Sequence, residues 1–106
     1  MITVNIRYRG ENGAARAFAD EMTAGGTVEQ IRAESGNLRY EYYLSLDDPE
    51  TLLLIDSWAD QAALDAHHAS PMMAVIAGLR EKYDLHMTAE RLVSEDLGAD
   101  AQFIRK

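Results

Sequence analysis

The amino-acid sequence predicts a single α+β domain in which helices cover one face of a four-stranded antiparallel sheet. Three observations lead to this prediction. Four segments have the residue patterns of β-strands, either alternating apolar and polar or apolar throughout. A segment with helical spacing lies between the first and second strands, and another lies between the third and fourth. A short acidic turn joins the second strand to the third. The length of 106 residues suits one domain with a single core.

The first strand is predicted at residues 2–8, where apolar and polar side chains alternate. Apolar residues at helical spacing follow from residue 14 to residue 22. Gly25-Gly26 interrupts this pattern, because each glycine lowers helix stability by roughly 1 kcal/mol relative to alanine. Thr27 and Gln30 have the spacing of a capping box that would restart the helix. One kinked helix or two short helices fit this segment equally well.

An antiparallel hairpin is predicted in the middle of the chain. Residues 37–46 form its first strand, an acidic turn containing Pro49 follows, and residues 51–58 form its second strand. The run from Leu52 to Ile55 is apolar on both faces, which is typical of a strand covered on both sides. We therefore expect a second subunit to cover the sheet face that the helices leave free. The alternative is a helix layer on one face and exposed leucine on the other.

Two helical segments and a fourth strand complete the domain. Asp60 is placed to cap a short helix that runs past Leu64 and His67. Ser70-Pro71 then has the pattern of a serine N-cap followed by proline in the first turn. A fourth strand is predicted from Leu85 to Val93. The resulting order, β-α-β-β-α-β, is the ferredoxin-like split βαβ pattern.

This pattern accounts for residues 1–94, which we take as the domain. The remaining residues, 95–106, form a tail that is mostly polar apart from Phe103-Ile104. We expect the tail to be mobile or to clasp a partner subunit.

Charge and composition exclude several classes of function. The chain carries a net charge of −8, from 18 acidic and 10 basic residues, so nucleic acids and anionic membranes are poor partners for it. It has no cysteine, which excludes thiolate metal sites and cysteine nucleophiles. The N-terminal segment lacks the pattern of a secretory signal, and no apolar run approaches the ~20 residues of a membrane span. The expectation is a cytoplasmic protein.

The sequence contains no motif for a nucleotide or a metal ion. No glycine-rich phosphate loop follows a predicted strand. The adjacent pair His67-His68 lacks the spacing of a zinc-binding motif, since neighbouring helical residues point about 100° apart. We therefore predict no metal site.

Aromatic and imidazole side chains converge near the end of the third strand. Trp58 ends that strand, and a short loop lets the following helix fold back over the sheet. The two neighbouring elements contribute further candidate pocket residues: Tyr40, Tyr42, Leu64, His67 and His68. Apolar pockets with a few polar groups commonly bind small molecules, and histidine titrates near neutral pH. The sequence thus predicts a small-molecule site in which a histidine of this segment, His67 or His68, could transfer a proton.

A purely structural role is the alternative for each of these residues. Trp58 and the two tyrosines would then belong to the core and to sheet packing. His68 would face solvent or contact a second subunit. Asn5 would be an edge residue without a role, and Met72 would fill a gap in an adaptable core.

Three segments of the sequence resemble the antibiotic biosynthesis monooxygenase family, including its quinol monooxygenases. They are Gly36 to Tyr42, Leu54 to Trp58 and Leu64 to Pro71. The most specific feature is a tryptophan that ends one strand, followed by a helix with the pattern A-H-x-x-S-P. The resemblance extends over residues 1–94.

This resemblance implies both a fold and an activity. The fold is a dimeric α+β barrel, in which the sheets of two subunits pack face to face. The activity is a monooxygenation without a cofactor, with molecular oxygen as co-substrate, of small electron-rich aromatics such as quinols or anthrones. By position, Trp58 and His67 are the catalytic residues, and Met72 stands where many members have a second histidine. The residues then expected to bind substrate are Asn5, Tyr40, Tyr42, Leu64, His68 and Met72.

Three other functions fit the same residues. The first is a proton-transfer isomerase or degrading enzyme for a small metabolite. The second is a protein that binds or degrades haem, for which Asn5, Trp58 and either His67 or His68 would be used. The third is a non-catalytic stress-response dimer. Only the first two require the candidate residues to line one accessible pocket.

Overall fold

The computed structural model describes all residues from 1 to 106 and has the predicted order of strands and helices. Its four strands form one antiparallel sheet in the order β2-β3-β1-β4. The elements are β1 (Ile2–Arg9), α1 (Ala14–Ala24), α2 (Thr27–Arg32), β2 (Asn37–Leu44), β3 (Thr51–Trp58), α3 (Gln61–His68), α4 (Met72–Lys82), β4 (His86–Val93) and a 3₁₀ helix (Gly98–Phe103). The ferredoxin-like α+β fold is confirmed.

The two faces of the sheet have different environments. Side chains of β1 and β3 point alternately to the helix-covered face and to a face without helices, which we call the open face. The helix-covered face carries most of the core, which consists of Ile6, Tyr8, Ala15, Phe18, Met22, Val28, Ile31, Tyr40, Leu52, Leu54, Trp58, Leu64 and Ile76. On the open face, Leu53 and Ile55 are only partly buried. The single chain therefore leaves half of the doubly apolar third strand uncovered.

The second strand is shorter than the sequence pattern indicates. It ends at Leu44, and Leu46 is fully exposed beyond it. A register shift between Asn37 and Arg39 also interrupts its pairing with β3. Leu38 is consequently exposed and does not share the buried face of Tyr40. The alternation of apolar and polar residues could not predict this bulge, because a bulge locally interrupts the two-residue period of the strand.

The glycine pair separates two helices, and the predicted capping box between them is wrong. Gly26 occupies the N-cap of α2 with φ of 81°, and no side chain caps this end. Thr27 is instead buried against the core. Gly26 takes the N-cap position with a left-handed backbone conformation. Thr27 is therefore the first residue of the helix and does not cap it.

The helix α4 begins after the Ser70-Pro71 pair and not within it. Pro71 immediately precedes the first helical residue, Met72. The hydroxyl of Ser70 makes no capping hydrogen bond and is buried without a partner. The proline still fixes the backbone angle with which the chain enters α4.

Asp60 caps α3 as predicted, because its carboxylate accepts a hydrogen bond of 2.8 Å from the backbone N–H of Ala63. We expect Asp60→Ala to lower the free energy of unfolding by about 1 kcal/mol and the melting temperature by roughly 4–8 °C. Thermal unfolding followed by circular dichroism measures this loss. Asp60→Asn is the matched control, since asparagine also caps helices. Equal losses in both variants would contradict the capping role.

The segment after β4 is exposed throughout. The 3₁₀ helix has no buried residue, and its apolar neighbours are exposed: Leu97, Phe103 and Ile104. The strand β4 is also exposed along its whole length. The division into a domain of residues 1–94 and a tail of residues 95–106 stays a prediction. In addition, none of the helices is both long and apolar enough to span a membrane.

Candidate active site

Trp58 and His67 form a stacked pair in the interior of the domain. Trp58 ends β3, and His67 lies in the last turn of α3. Their ring centroids are 4.7 Å apart with an interplanar angle of 28°. Their exposed fractions are 0% and 3%. The predicted proximity of these residues is therefore present, at a buried position between the sheet and α3.

The position of α3 depends on close packing against a turn. Gly36, with φ of 83°, lies so near α3 that a Cβ atom on it would be 2.5 Å from the Cβ of Ala63. The carbonyl of Gly36 also accepts a hydrogen bond of 2.8 Å from the backbone N–H of Ala59. Since both contacts fix the start of α3, they also set the position of His67 over Trp58.

A partly buried carboxylate orients His67. An oxygen of Glu34 lies 2.7 Å from Nδ1 of His67. An ionised carboxylate can only accept, so Nδ1 carries the proton and donates it to this hydrogen bond. In the neutral imidazole with this tautomer, the lone pair lies on Nε2, which can accept a proton. Sequence reasoning missed Glu34, because no motif links residues 33 positions apart.

A second carboxyl group, that of Asp56, is buried and contacts Trp58. The indole Nε1–H donates a hydrogen bond of 2.7 Å to Oδ1 of Asp56, whose exposed fraction is 5%. Burial raises the pKa of Asp56 to about 6, while the indole hydrogen bond and the nearby His67 oppose that increase. Sequence reasoning missed Asp56, although a charge on the alternating buried face of β3 was a visible signal.

Tyr40 and Tyr42 continue the cluster along β2. The rings of Tyr40 and His67 meet edge to face at 6.4 Å, and those of Tyr40 and Tyr42 at 5.7 Å. Desolvation by burial raises the pKa of both phenols above the usual range. Both tyrosine side chains therefore stay neutral. They can line a pocket and form hydrogen bonds, but they cannot act as bases. We call this group the buried cluster: Glu34, Tyr40, Tyr42, Asp56, Trp58 and His67.

The remaining predicted residues lie in different places. Leu64 is buried near the cluster, and Met72 packs against the core from the side. His68 is exposed, with its ring 5.8 Å from that of His67. Asn5 lies on the open face, where it pairs with Ile55. The structure thus places Asn5 on the opposite face of the sheet from Trp58 and His67. The residues that haem binding would require therefore do not lie together on one face.

Trp58 and His67 do not line any of the five principal surface cavities, whose volumes are about 210 to 400 Å³. A groove of about 280 Å³ with mixed polar and apolar lining runs between α1 and the sheet and reaches the cluster at Tyr42. Its lining consists of Arg16, Ala19, Asp20, Thr23, Tyr42, Leu44 and Leu52. A polar cavity of about 380 Å³ reaches the cluster at Tyr40. No three His, Asp or Glu side chains are grouped to hold a metal ion.

A comparison with known protein families shows which family this chain belongs to. The sequence profile described as antibiotic biosynthesis monooxygenase matches residues 1–78. The chain belongs to this family. The match includes β1 to β3 and α3, and so contains every residue of the buried cluster. A comparison with curated proteins finds no match.

Solved structures share the fold of this family member. A protein from Deinococcus radiodurans, provisionally named an antibiotic biosynthesis monooxygenase, superposes with a TM-score of 0.78 at 15% identity, covering 91% of this chain and 94% of its own. PA3566 from Pseudomonas aeruginosa gives 0.76 at 25% identity, with 90% and 94% covered. A mutant of SnoaB, a cofactor-independent oxygenase from Streptomyces nogalater, gives 0.76 at 15% identity, with 92% and 96% covered.

Proposed function

We propose that this family member is a cofactor-independent monooxygenase that oxidises a small electron-rich aromatic, such as a quinol or an anthrone. The observation that supports this most is the Glu34–His67 pair, in which the buried imidazole ring stacks on Trp58. A histidine oriented by a carboxylate is a common general base, because its second nitrogen keeps a free lone pair. Family membership supports the reaction type.

The reaction needs little from the protein beyond proton transfer and exclusion of water. Dioxygen is a triplet and reacts slowly with neutral closed-shell molecules. When Nε2 of His67 removes a proton from the substrate, the resulting anion transfers one electron to dioxygen. The two radicals combine at carbon to give a peroxide anion, which takes the proton back from His67 and becomes a hydroperoxide. Loss of water from this hydroperoxide leaves a carbonyl group, so all electrons come from the substrate.

The groove at Tyr42 is the proposed route for the substrate. It touches the buried cluster, and a planar aromatic could stack there against Tyr42 beside Leu44 and Leu52. Trp58 and His67 are closed off from solvent. Substrate binding would therefore displace part of the cluster, and the closed arrangement would exclude water from the anion.

Oxygen uptake with menadiol or an anthrone, without NADPH, tests the proposal. We expect His67→Ala to lower the enzyme-dependent rate by about 100-fold or more, because general-base catalysis contributes that much. Glu34→Gln should lower it at least about tenfold, since it leaves His67 without its orienting carboxylate. His86→Ala is the matched control, because His86 is an exposed histidine on β4. Unchanged uptake in both cluster variants would refute the assigned site.

A proton-transfer isomerase or degrading enzyme is the second candidate. It is favoured by the two differently placed acidic groups, Glu34 at His67 and Asp56 at Trp58, since such pairs often divide acid and base roles. The two proposals differ in their need for oxygen. Turnover of a metabolite under strictly anaerobic conditions would support the isomerase, and an absolute requirement for dioxygen would support the monooxygenase.

We further propose that the enzyme works as a homodimer joined through the open face. Leu53 and Ile55 on this face are only partly buried in the single chain. Burial of such residues against a second sheet would remove apolar surface from water at about 25 cal/mol per Å². The exposed tail would then lie beside the partner, where it could act as a clasp.

A further inference from the structure

The proposed reaction leaves one buried acidic side chain, Asp56, without a role. This residue lies on the helix-covered face of β3 and pairs with Tyr40 in the register of β2 and β3. Its carboxyl group bonds to the indole of Trp58 and to no lysine or arginine. A buried carboxylate without a cationic partner is costly. Asparagine would accept the same hydrogen bond without a charge, so a purely structural role does not explain the acid.

One oxygen of this carboxyl group is free. Oδ1 accepts the hydrogen bond of Trp58, whereas Oδ2 makes no hydrogen bond. The side-chain atoms that are completely shielded and also lack a partner belong to Asn5 and Ser70, and Oδ2 of Asp56 is not among them. Open space therefore remains beside Oδ2, where an oxygen atom of a bound molecule can approach.

Asp56 and His67 contact the same indole. Asp56 bonds to Nε1 of Trp58 at 2.7 Å, and the ring of His67 stacks on that indole with 4.7 Å between centroids. The two groups are close enough for the charge of His67 to favour ionisation of Asp56, which opposes the effect of burial on its pKa. Burial still raises this pKa to about 6, so a protonated fraction of Asp56 is present near neutral pH. A base and an acid thus lie side by side at Trp58.

We propose that Asp56 is the general acid that protonates the leaving oxygen when the hydroperoxide loses water. This inference rests on the proposed monooxygenase function. Oδ2 of Asp56 donates its proton to the outer oxygen of the hydroperoxide as the O–O bond breaks, and that oxygen leaves as water with the electron pair of the bond. Nε2 of His67 removes the remaining proton from the oxidised carbon, and the electron pair of this C–H bond becomes the second bond of the carbonyl group. His67 then returns a proton to Asp56, which restores both groups.

Rapid chemical quench of Asp56→Asn tests this role, with anthrone or menadiol as the substrate that the wild-type protein oxidises. The first turnover should consume oxygen at close to the wild-type rate, because His67 is intact, and the hydroperoxide should accumulate. Formation of the carbonyl product should be about 100-fold slower, since general-acid catalysis contributes about that much. Peroxide titration and product absorbance measure the two species. Asp65→Asn is the matched control, because Asp65 is exposed on α3 and bonds only to Gln61.

The possible outcomes separate the acid role from the proposed function. Asp56→Glu keeps a carboxyl group and should form product without accumulating the hydroperoxide. Equal losses of oxygen uptake and product formation in Asp56→Asn would show that the residue only positions Trp58, and would overturn the acid role. Product formation at the wild-type rate would overturn it as well. A wild-type protein that consumes no oxygen with either substrate would overturn the proposed monooxygenase itself, and the acid role with it.

Discussion

Asp56→Asn is expected to raise the free energy of unfolding at pH 7 by about 3 kcal/mol. Burial raises the pKa of Asp56 to about 6, from an ordinary value of 3.8. The folded state therefore binds the proton more tightly than the unfolded state does. The stability that this gives is complete below pH 3.8 and is lost as the pH rises through 6. Asparagine avoids this loss, because it stays neutral and still accepts the indole hydrogen bond of Trp58.

Urea unfolding between pH 4 and pH 7.5 measures this effect. The stability difference between Asp56→Asn and wild type should be small near pH 4 and grow as the pH rises. Asp96→Asn is the matched control, because Asp96 is exposed in the tail and makes no side-chain hydrogen bond. A difference that does not change with pH would contradict the assigned pKa. If turnover falls while stability rises, the buried carboxylate is retained for activity.

Gly36→Ala should lower the free energy of unfolding by about as much as Asp56→Asn raises it. The new Cβ would lie 2.5 Å from the Cβ of Ala63, and the backbone at Gly36 has φ of 83°. The left-handed backbone alone costs about 1–2 kcal/mol for a residue with a side chain. Displacement of α3 adds to this, so we expect a total loss of about 3 kcal/mol or more. The melting temperature should fall by about 10 °C or more.

Gly26→Ala separates the two contributions. Gly26 has φ of 81°, but no atom lies within 4 Å of the position that its Cβ would take. This control should therefore lose only the backbone contribution of about 1–2 kcal/mol. Combining Gly36→Ala with Ala63→Gly should restore part of the packing contribution. Equal losses in the two single variants would show that the contact between the turn and α3 does not matter.

The fold was predictable because it depends on local patterns. The period of two along β1 and the apolar run of β3 gave the strands, and the acidic turn gave the hairpin. The bounds of β3 agree with the predicted range of 51–58. The errors occurred at the end of β2, which stops at Leu44 and not at residue 46, and at the starts of α2 and α4, where Gly26 and Pro71 hold the N-cap positions. Such boundaries are set by tertiary packing and are not visible in a short window of sequence.

The candidate site was predictable only in part. The short connection between β3 and α3 correctly placed Trp58 near His67. Glu34 comes from a distant turn, and no spacing rule could assign it. Asn5 was a different case, because the alternation of β1 already placed it opposite to the apolar side chains. The period of two was therefore sufficient to separate Asn5 from the Trp58–His67 pair.

In the proposed site, the two carboxyl groups beside the Trp58–His67 stack would also restrict which substrates can enter. Glu34 and Asp56 contribute negative charge, and no lysine or arginine bonds to either of them. In so dry an interior, an incoming carboxylate or phosphate would meet repulsion with little screening. An uncharged phenol or ketone would not. Discrimination between metabolites of similar shape would then depend on their ionisation in solution, with acidic derivatives of an aromatic rejected and the parent compound accepted.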